Sequence, residues 1–237
     1  MKKVLGALRR ADERFSLIAD GDRIAVGLSG GKDSMLMLRA LRLYQLFSKK
    51  DYSLHAICVD LGFGNYDLEK IKAWTDEQKV PLSIVPTDIA QVVFDIRQEK
   101  NPCSLCAKMR KGALYEKANQ LGCNKAAFGH HMDDCIETFM MNLLFAARVG
   151  TFAPKAYLTR QDITLIRPFI FLREWDIKGA VNKAGIPVAK NPCPQDEHTS
   201  RQDLKDFLKH VDSIYPHASE RIATAIANTE TYDLWKE

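Results

Sequence analysis

Short apolar runs alternate along the chain with longer stretches whose apolar residues recur every three or four positions, the pattern of buried strands feeding amphipathic helices. Residues 23–28 predict a first strand and residues 33–47 a helix. A second unit follows, with a strand at 54–59, a helix at 67–79 and a third strand at 82–85. Further along, the spacing predicts a helix over 104–121, a short strand at 125–128, a helix over 133–147, a strand at 164–166 and a helix over 174–184. From residue 200 the chain turns polar, with apolar positions at Leu204, Phe207, Leu208 and Val211, which predicts two closing helices parted near Pro216. Crossovers of this length allow consecutive strands to pair in parallel, so the expected fold class is α/β: a Rossmann-like parallel sheet with helices on both faces. A chain of 237 residues fits one such domain spanning 1–237, with short helical extensions at either end.

Composition narrows the setting. No apolar run reaches the roughly 18 residues of a membrane span, and the best candidate, Phe139 to Ala147, is interrupted by Asn142. The opening MKKVLGALRR is basic but has only a stub of apolar residues before Arg9 and Arg10, so a cytoplasmic protein with no membrane association is expected. The net charge of +4 is too small to establish nucleic-acid binding by itself. It is unevenly spread: residues 97–117 carry six Lys or Arg against two Glu, a basic segment that fits either an RNA contact or a solvated helix face. Six cysteines without a secretory signal point to reduced thiols rather than a disulfide framework.

The first candidate for chemistry is Ser29-Gly30-Gly31-Lys32-Asp33-Ser34, placed between a predicted strand and a predicted helix. Unpaired N–H groups and the helix dipole favour an anion there. Gly30 and Gly31 let the backbone approach phosphate oxygens, Ser29 and Ser34 offer hydroxyls, and Asp33 suits a Mg²⁺-bound nucleotide. The segment matches neither the usual phosphate-loop pattern nor a dinucleotide fingerprint, and its structural alternative is a tight turn. A second strand-to-helix junction, Gly129-His130-His131-Met132-Asp133-Asp134, puts two acids in a first helical turn. These acids are candidates for capping or for a metal–nucleotide role, and Gly129 and His130 for the pocket wall.

Cys103 and Cys106 sit three apart at the start of a predicted helix, with Lys108, Arg110 and Lys111 close by to favour thiolates. Cys193 shares their Asn-Pro-Cys context. Three cysteines can hold a cubane cluster with one iron left open, while zinc or a dithiol at the pair are the competing readings. Cys58, Cys123 and Cys135 fit structural positions.

The motif SGGKDS after an apolar strand resembles the PP-loop, or N-type ATP pyrophosphatase, superfamily. Taken in order, SGGKDS, NPCSLCAKMRKG, GHHMDDCIET, IRPFIFLREWDI and NPCPQD resemble the TtcA family of tRNA 2-thiocytidine synthetases over roughly residues 20–205. That resemblance implies the PP-loop ATP pyrophosphatase fold, with ATP and Mg²⁺ at the loop and adenine or ribose contacts at Val59 and Asp60. It also implies a [4Fe-4S] cluster on Cys103, Cys106 and Cys193, and tRNA as acceptor. The implied reaction adenylates the carbonyl oxygen at carbon 2 of a pyrimidine, which sulfur then displaces with release of AMP. Asp33, Arg110, Asp133 and Asp134 are its implied catalytic residues. Related thiouridine synthetases have lysine where this chain has Arg110, which also suits phosphate or RNA. A sulfur donor such as a cysteine desulfurase or sulfide, and a homodimer, complete the expectation. The alternatives are a PP-loop iron–sulfur enzyme acting on another RNA base or a small molecule, including sulfur removal, and a nucleotide- or redox-sensing module without turnover.

Overall fold

The computed structural model describes residues 1–64, 66–98, 102–189, 193 and 200–228. Its elements follow in the order α1 (Lys2–Phe15), β1 (Asp22–Gly27), α2 (Lys32–Gln45), β2 (Tyr52–Asp60), α3 (Leu68–Gln78), β3 (Leu82–Pro86), α4 (Pro102–Gln120), β4 (Lys125–Ala127), α5 (Met132–Ala146), β5 (Lys155–Leu158), β6 (Ile163–Ile166), α6 (Glu174–Ala184), α7 (Ser200–Ile214) and α8 (Ala218–Ala227). A π-helical turn over Gln91–Ile96 lies between β3 and α4.

The six strands form one sheet in the order β3-β2-β1-β4-β6-β5. All neighbouring pairs are parallel except β5–β6, which is antiparallel. The expected parallel, helix-covered sheet is therefore present, with one correction. The edge strand β5 runs against β6, since the short connection between Leu158 and Ile163 permits only a hairpin, and its alternately exposed and half-buried residues give no buried apolar run to read.

Side chains of β1 show how the sheet is filled on both faces. Ile24 and Val26 point into a core formed with α1, α2, α3 and α6, whereas Ala25 points into a second core under α4 with Ile57, Leu114, Tyr115 and Ala126. Two-sided burial explains the near-continuous apolar runs of the central strands. At the amino end of the sheet, Lys125 Nζ lies 2.6 Å from buried Asp22 Oδ2 and donates to Leu17 O at 2.7 Å. Asp22 also accepts from Ala19 N at 2.6 Å and from Asn124 Nδ2 at 2.8 Å.

Strand β1 has β2 on one side and β4 on the other, so the order of winding reverses between β1 and β4. Open α/β sheets leave a crevice at such a switch point, beyond the carboxyl ends of the strands. The two junctions singled out in the sequence leave β1 and β4 at that end. No described helix is long and apolar enough to cross a membrane.

Candidate nucleotide and cysteine site

After β1 the chain turns sharply through Gly30, whose φ of +70° belongs to the left-handed region. A Cβ there would lie 2.8 Å from Ala189 Cβ, 3.1 Å from Ile71 Cδ1 and 3.3 Å from the Tyr66 hydroxyl. Gly30 O accepts the Ala189 N–H at 2.9 Å, which pins the segment after α6 against the loop. From the other side Gly129 presses on the same turn, since a Cβ on it would meet Asp33 backbone atoms at 3.1 Å. Ser34 Oγ closes the turn by accepting from Ser29 N at 3.1 Å and donating to Gly31 O at 3.0 Å, and it stands 3.3 Å from Ser29 Oγ.

Among the helices that begin at this end of the sheet, α2, α5 and α6 differ at their N-termini. At α5 the His131 side chain accepts the Asp134 N–H while Asp134 Oδ2 accepts the His131 N–H, a complete capping box. At α6 the Glu174 N–H is taken by Asp133 Oδ2 at 2.6 Å. The N-cap of α2 is Gly31, and no side chain caps it. The first N–H groups of α2 are thus left for an outside anion.

Lys32 and Asp33 open α2. Lys32 Nζ lies 3.0 Å from Asp33 Oδ2 and 3.1 Å from Glu174 Oε1. Burial opposes its charge, but the two carboxylates outweigh that and raise its pKa. Glu174 is placed further among cations, with Lys178 at 3.3 Å and Lys205 at 3.6 Å. Burial alone would raise its pKa; Lys32 first, then Lys205 and Lys178, pull it down to about 2. Asp33 Oδ1 is buried and makes no hydrogen bond among the described residues, with His131 Nε2 3.8 Å away. A buried carboxylate oxygen without a donor is suited to a cation, and a hard divalent ion carried by a nucleotide fits it.

The sequence reading named His130 for the pocket, yet its ring stands between Phe128 and Phe152, with centroids at 5.9 and 5.3 Å. His131 is the one turned towards the acids: it is 3% exposed, with Nδ1 3.6 Å from Asp133 Oδ2 and Nε2 3.5 Å from Asp134 Oδ2. Adjacent residues entering a helix point apart, and only contacts from the neighbouring loop decide which one faces inward. Asp133 and Asp134 both have structural partners. Asp134 belongs to the capping box, and Asp133 accepts from Arg173 Nε at 3.0 Å and lies 2.9 Å from its Nη2, besides holding the start of α6. Val59 is buried at the end of β2. Asp60 turns its carboxylate back to the Gly62 N–H at 3.0 Å, as a strand-end turn residue does.

Pro102 begins α4, a position where its missing N–H costs nothing, and the spacing of three then puts Cys103 and Cys106 on one face. Cys103 is exposed and Cys106 and Cys193 are half-buried. Burial raises the Cys106 pKa; Arg110 opposes the shift, whereas Cys193 and Cys103 add to it. Cys106 thus lies within electrostatic reach of both other thiols and of Arg110. Among the described residues no three His, Cys, Asp or Glu side chains are already drawn together as a metal-binding group. The donor types still suit a thiophilic cluster, since three thiols are at least partly accessible and two of them share one face of α4. Cys58, Cys123 and Cys135 are buried. Cys58 donates to the Tyr66 hydroxyl at 3.7 Å, and burial pushes its thiol up to about 11.

The Arg110 charge acts on Cys106, on Cys58 and on Tyr66, and the Tyr66 hydroxyl stands 3.3 Å from where a Cβ on Gly30 would be. Sequence reading missed His131, Tyr66, Ala189 and the Lys32–Glu174 pair. For Glu174 a signal was present, because it lies in the quoted segment IRPFIFLREWDI without a role assigned to it.

Comparisons with known proteins bear on the family and the fold. The tRNA-cytidine(32) 2-sulfurtransferase of Pelobacter propionicus is 32% identical over 230 residues, covering 96% of this chain and 86% of the relative. That of Geobacter sulfurreducens is 33% identical over 235 residues, covering 97% and 90%. Among solved structures, the U34-tRNA thiolase NcsA from Methanococcus maripaludis, determined with its [4Fe-4S] cluster, superposes with a TM-score of 0.77 at 22% identity, covering 95% of this chain and 77% of that one. An NH3-dependent NAD synthetase from Campylobacter jejuni shares the fold more loosely, with a TM-score of 0.51 at 15% identity over 100% of this chain and 97% of that one. A PP-loop domain profile matches residues 7–211. That span, together with relatives of more than 30% identity matched over most of their own length, establishes that the chain belongs to the PP-loop family, on its TtcA branch.

Proposed function

We propose that the protein is an ATP-dependent tRNA sulfurtransferase of the 2-thiocytidine type. The observation that carries the reading is the uncapped start of α2 beyond the carboxyl end of β1, with Arg110 in electrostatic reach both of Cys106 and of Tyr66, whose hydroxyl stands 3.3 Å from where a Cβ on Gly30 would be. Adenylation and sulfur transfer have to occur at one base, so the two sites must adjoin.

In this reading the α2 N-terminus and Lys32 bind the phosphates of ATP, with Ser29, Ser34, Gly30 and Gly31 shaping the loop. Asp33 would hold Mg²⁺, its Oδ1 making no hydrogen bond among the described residues. Gly129, Val59 and Asp60 line the nucleoside end, and His130 forms part of the wall. Charge developing on the departing pyrophosphate is met by Lys32 and the α2 dipole. Asp133 and Asp134 act by fixing Arg173, His131 and the starts of α5 and α6 around the reacting atoms. Arg110 faces the cysteines and neutralises RNA phosphate or the adenylate. Cys103, Cys106 and Cys193 would hold a [4Fe-4S] cluster, which supplies an open iron for carrying sulfur when bound. A cytoplasmic setting, a sulfur donor such as a cysteine desulfurase or sulfide, and a homodimeric state belong to the same proposal.

The test combines anaerobically reconstituted protein, MgATP, sulfide and unmodified tRNA. Pyrophosphate release that depends on tRNA, together with a cytidine nucleoside heavier by the oxygen-to-sulfur exchange in mass spectrometry, is the expected result. Pyrophosphate release with no thiolated nucleoside would reject tRNA sulfur transfer.

A further inference from the structure

We propose that Glu174 is a positioning residue for the nucleotide loop and acts through Lys32, an inference that rests on reading the loop as an ATP site. Lys32 is the first residue of α2, where the helix dipole disfavours a cation. Its ammonium keeps a fixed place only because two carboxylates hold it, Asp33 at 3.0 Å and Glu174 at 3.1 Å. These two are not equivalent. Asp33 is its chain neighbour and has one oxygen without a hydrogen bond, open to a bound cation. Glu174 comes from a different element, and its backbone is clamped by Asp133 at the first turn of α6.

The Glu174 carboxylate is itself braced. Lys178, one turn along α6, lies 3.3 Å away, and Lys205 reaches over from α7 to 3.6 Å. Lys205 is in turn 3.7 Å from Glu137, a residue of α5 that is 2% exposed. Lys32 therefore leans on an anchor shared by α5, α6 and α7 rather than on its own flexible loop. This arrangement resists turning when charge builds up on a departing group, which is when a preorganised cation contributes most.

Charge counting separates positioning from simple binding. Among the described residues Lys32, Lys178 and Lys205 lie within ion-pair distance of Asp33, Glu174 and Glu137. E174Q keeps the shape of the side chain and makes the charge beside the loop more positive by one. An anionic triphosphate should then bind as well as before or better, while Lys32 loses its fixed direction and the chemical step slows.

The experiment measures pyrophosphate release, the affinity of a non-hydrolysable ATP analogue and the melting temperature for wild type, E174Q, K32A and the double variant. E174Q is expected to lower kcat by roughly tenfold, less than the 10²–10³ typical of losing a whole stabilising donor, with analogue affinity equal or tighter. In the K32A background E174Q should cause no further fall in kcat, because the residue acts through the missing lysine. An equal fall in both backgrounds, or analogue binding weakened in step with a lowered melting temperature, would overturn the proposal. Should wild type bind the analogue without releasing pyrophosphate, the sulfurtransferase reading fails alone. Glu174 is then judged on analogue affinity, with weaker binding in E174Q counting against it and equal or tighter binding in its favour. Absence of any analogue binding by wild type rejects both.

Discussion

Replacing Gly30 by alanine tests the close approach on which the nucleotide loop is built. A Cβ at this position would lie 2.8 Å from Ala189 Cβ and 3.1 Å from Ile71 Cδ1, and the backbone has φ +70°. The left-handed conformation costs an L-residue about 1–2 kcal/mol. Overpacking against Ala189 and Ile71 adds roughly 1–3 kcal/mol, so G30A should lose about 2–5 kcal/mol. For a chain of this size that corresponds to a melting temperature lower by roughly 4–20 °C, with the protein still folded near room temperature. Gly31 is the internal control. Its φ is −71° and a Cβ would meet only Ser29 Oγ, at 3.5 Å, so G31A should stay within about 1 kcal/mol of wild type. Adding A189G to G30A should return the part of the loss owed to Ala189 and leave the backbone part and that of Ile71. Urea unfolding of the four proteins, with calorimetric titration of ATP, gives both readouts. If G30A is no less stable than G31A, or A189G restores nothing, the contact between the loop and Ala189 is not what requires glycine at position 30.

Further outcomes follow from other parts of the molecule. C193A should fail to retain a [4Fe-4S] cluster on anaerobic reconstitution while still binding ATP, whereas C58A, C123A and C135A keep the iron; full iron and the visible absorption band in C193A would exclude the three-cysteine set. R110A and K111A should each weaken tRNA binding more at low salt than at high salt and flatten the salt slope by about one, as measured by filter binding across a salt series; an unchanged slope would remove them from the RNA contact. K125M leaves buried Asp22 without its cation and should cost about 3–5 kcal/mol at pH 7, read by urea unfolding. Burial raises the Asp22 pKa, but Lys125, the Ala19 N–H and Asn124 outweigh it, so the folded value lies below the ordinary one. That contribution is present above the unfolded carboxylate value near pH 4 and is lost as pH falls through the lower folded value. The wild-type advantage over K125M should therefore shrink in that acid range, and a constant difference down to pH 2 would contradict the assignment.

Two levels of information can be separated in this protein. Local pattern was enough for the central elements: the runs at Ile24 to Val26 and Ala56 to Val59 are buried on both faces, and a strand in that situation leaves an unmistakable apolar string. The glycine-rich turn, the acidic helix start and the Cys-Pro contexts are also local, because phosphate binding, capping and thiolate chemistry each require particular residue types at short spacing. The edge strand β5 escaped, since half-exposed residues carry no such string. Only the folded chain could show that His131 rather than His130 faces the acids, that Asp133 holds the start of α6, and that Lys32 leans on Glu174. The first depends on how the chain enters α5, and the other two on which residue arrives from another element; contacts between elements leave no periodicity in the sequence to be read.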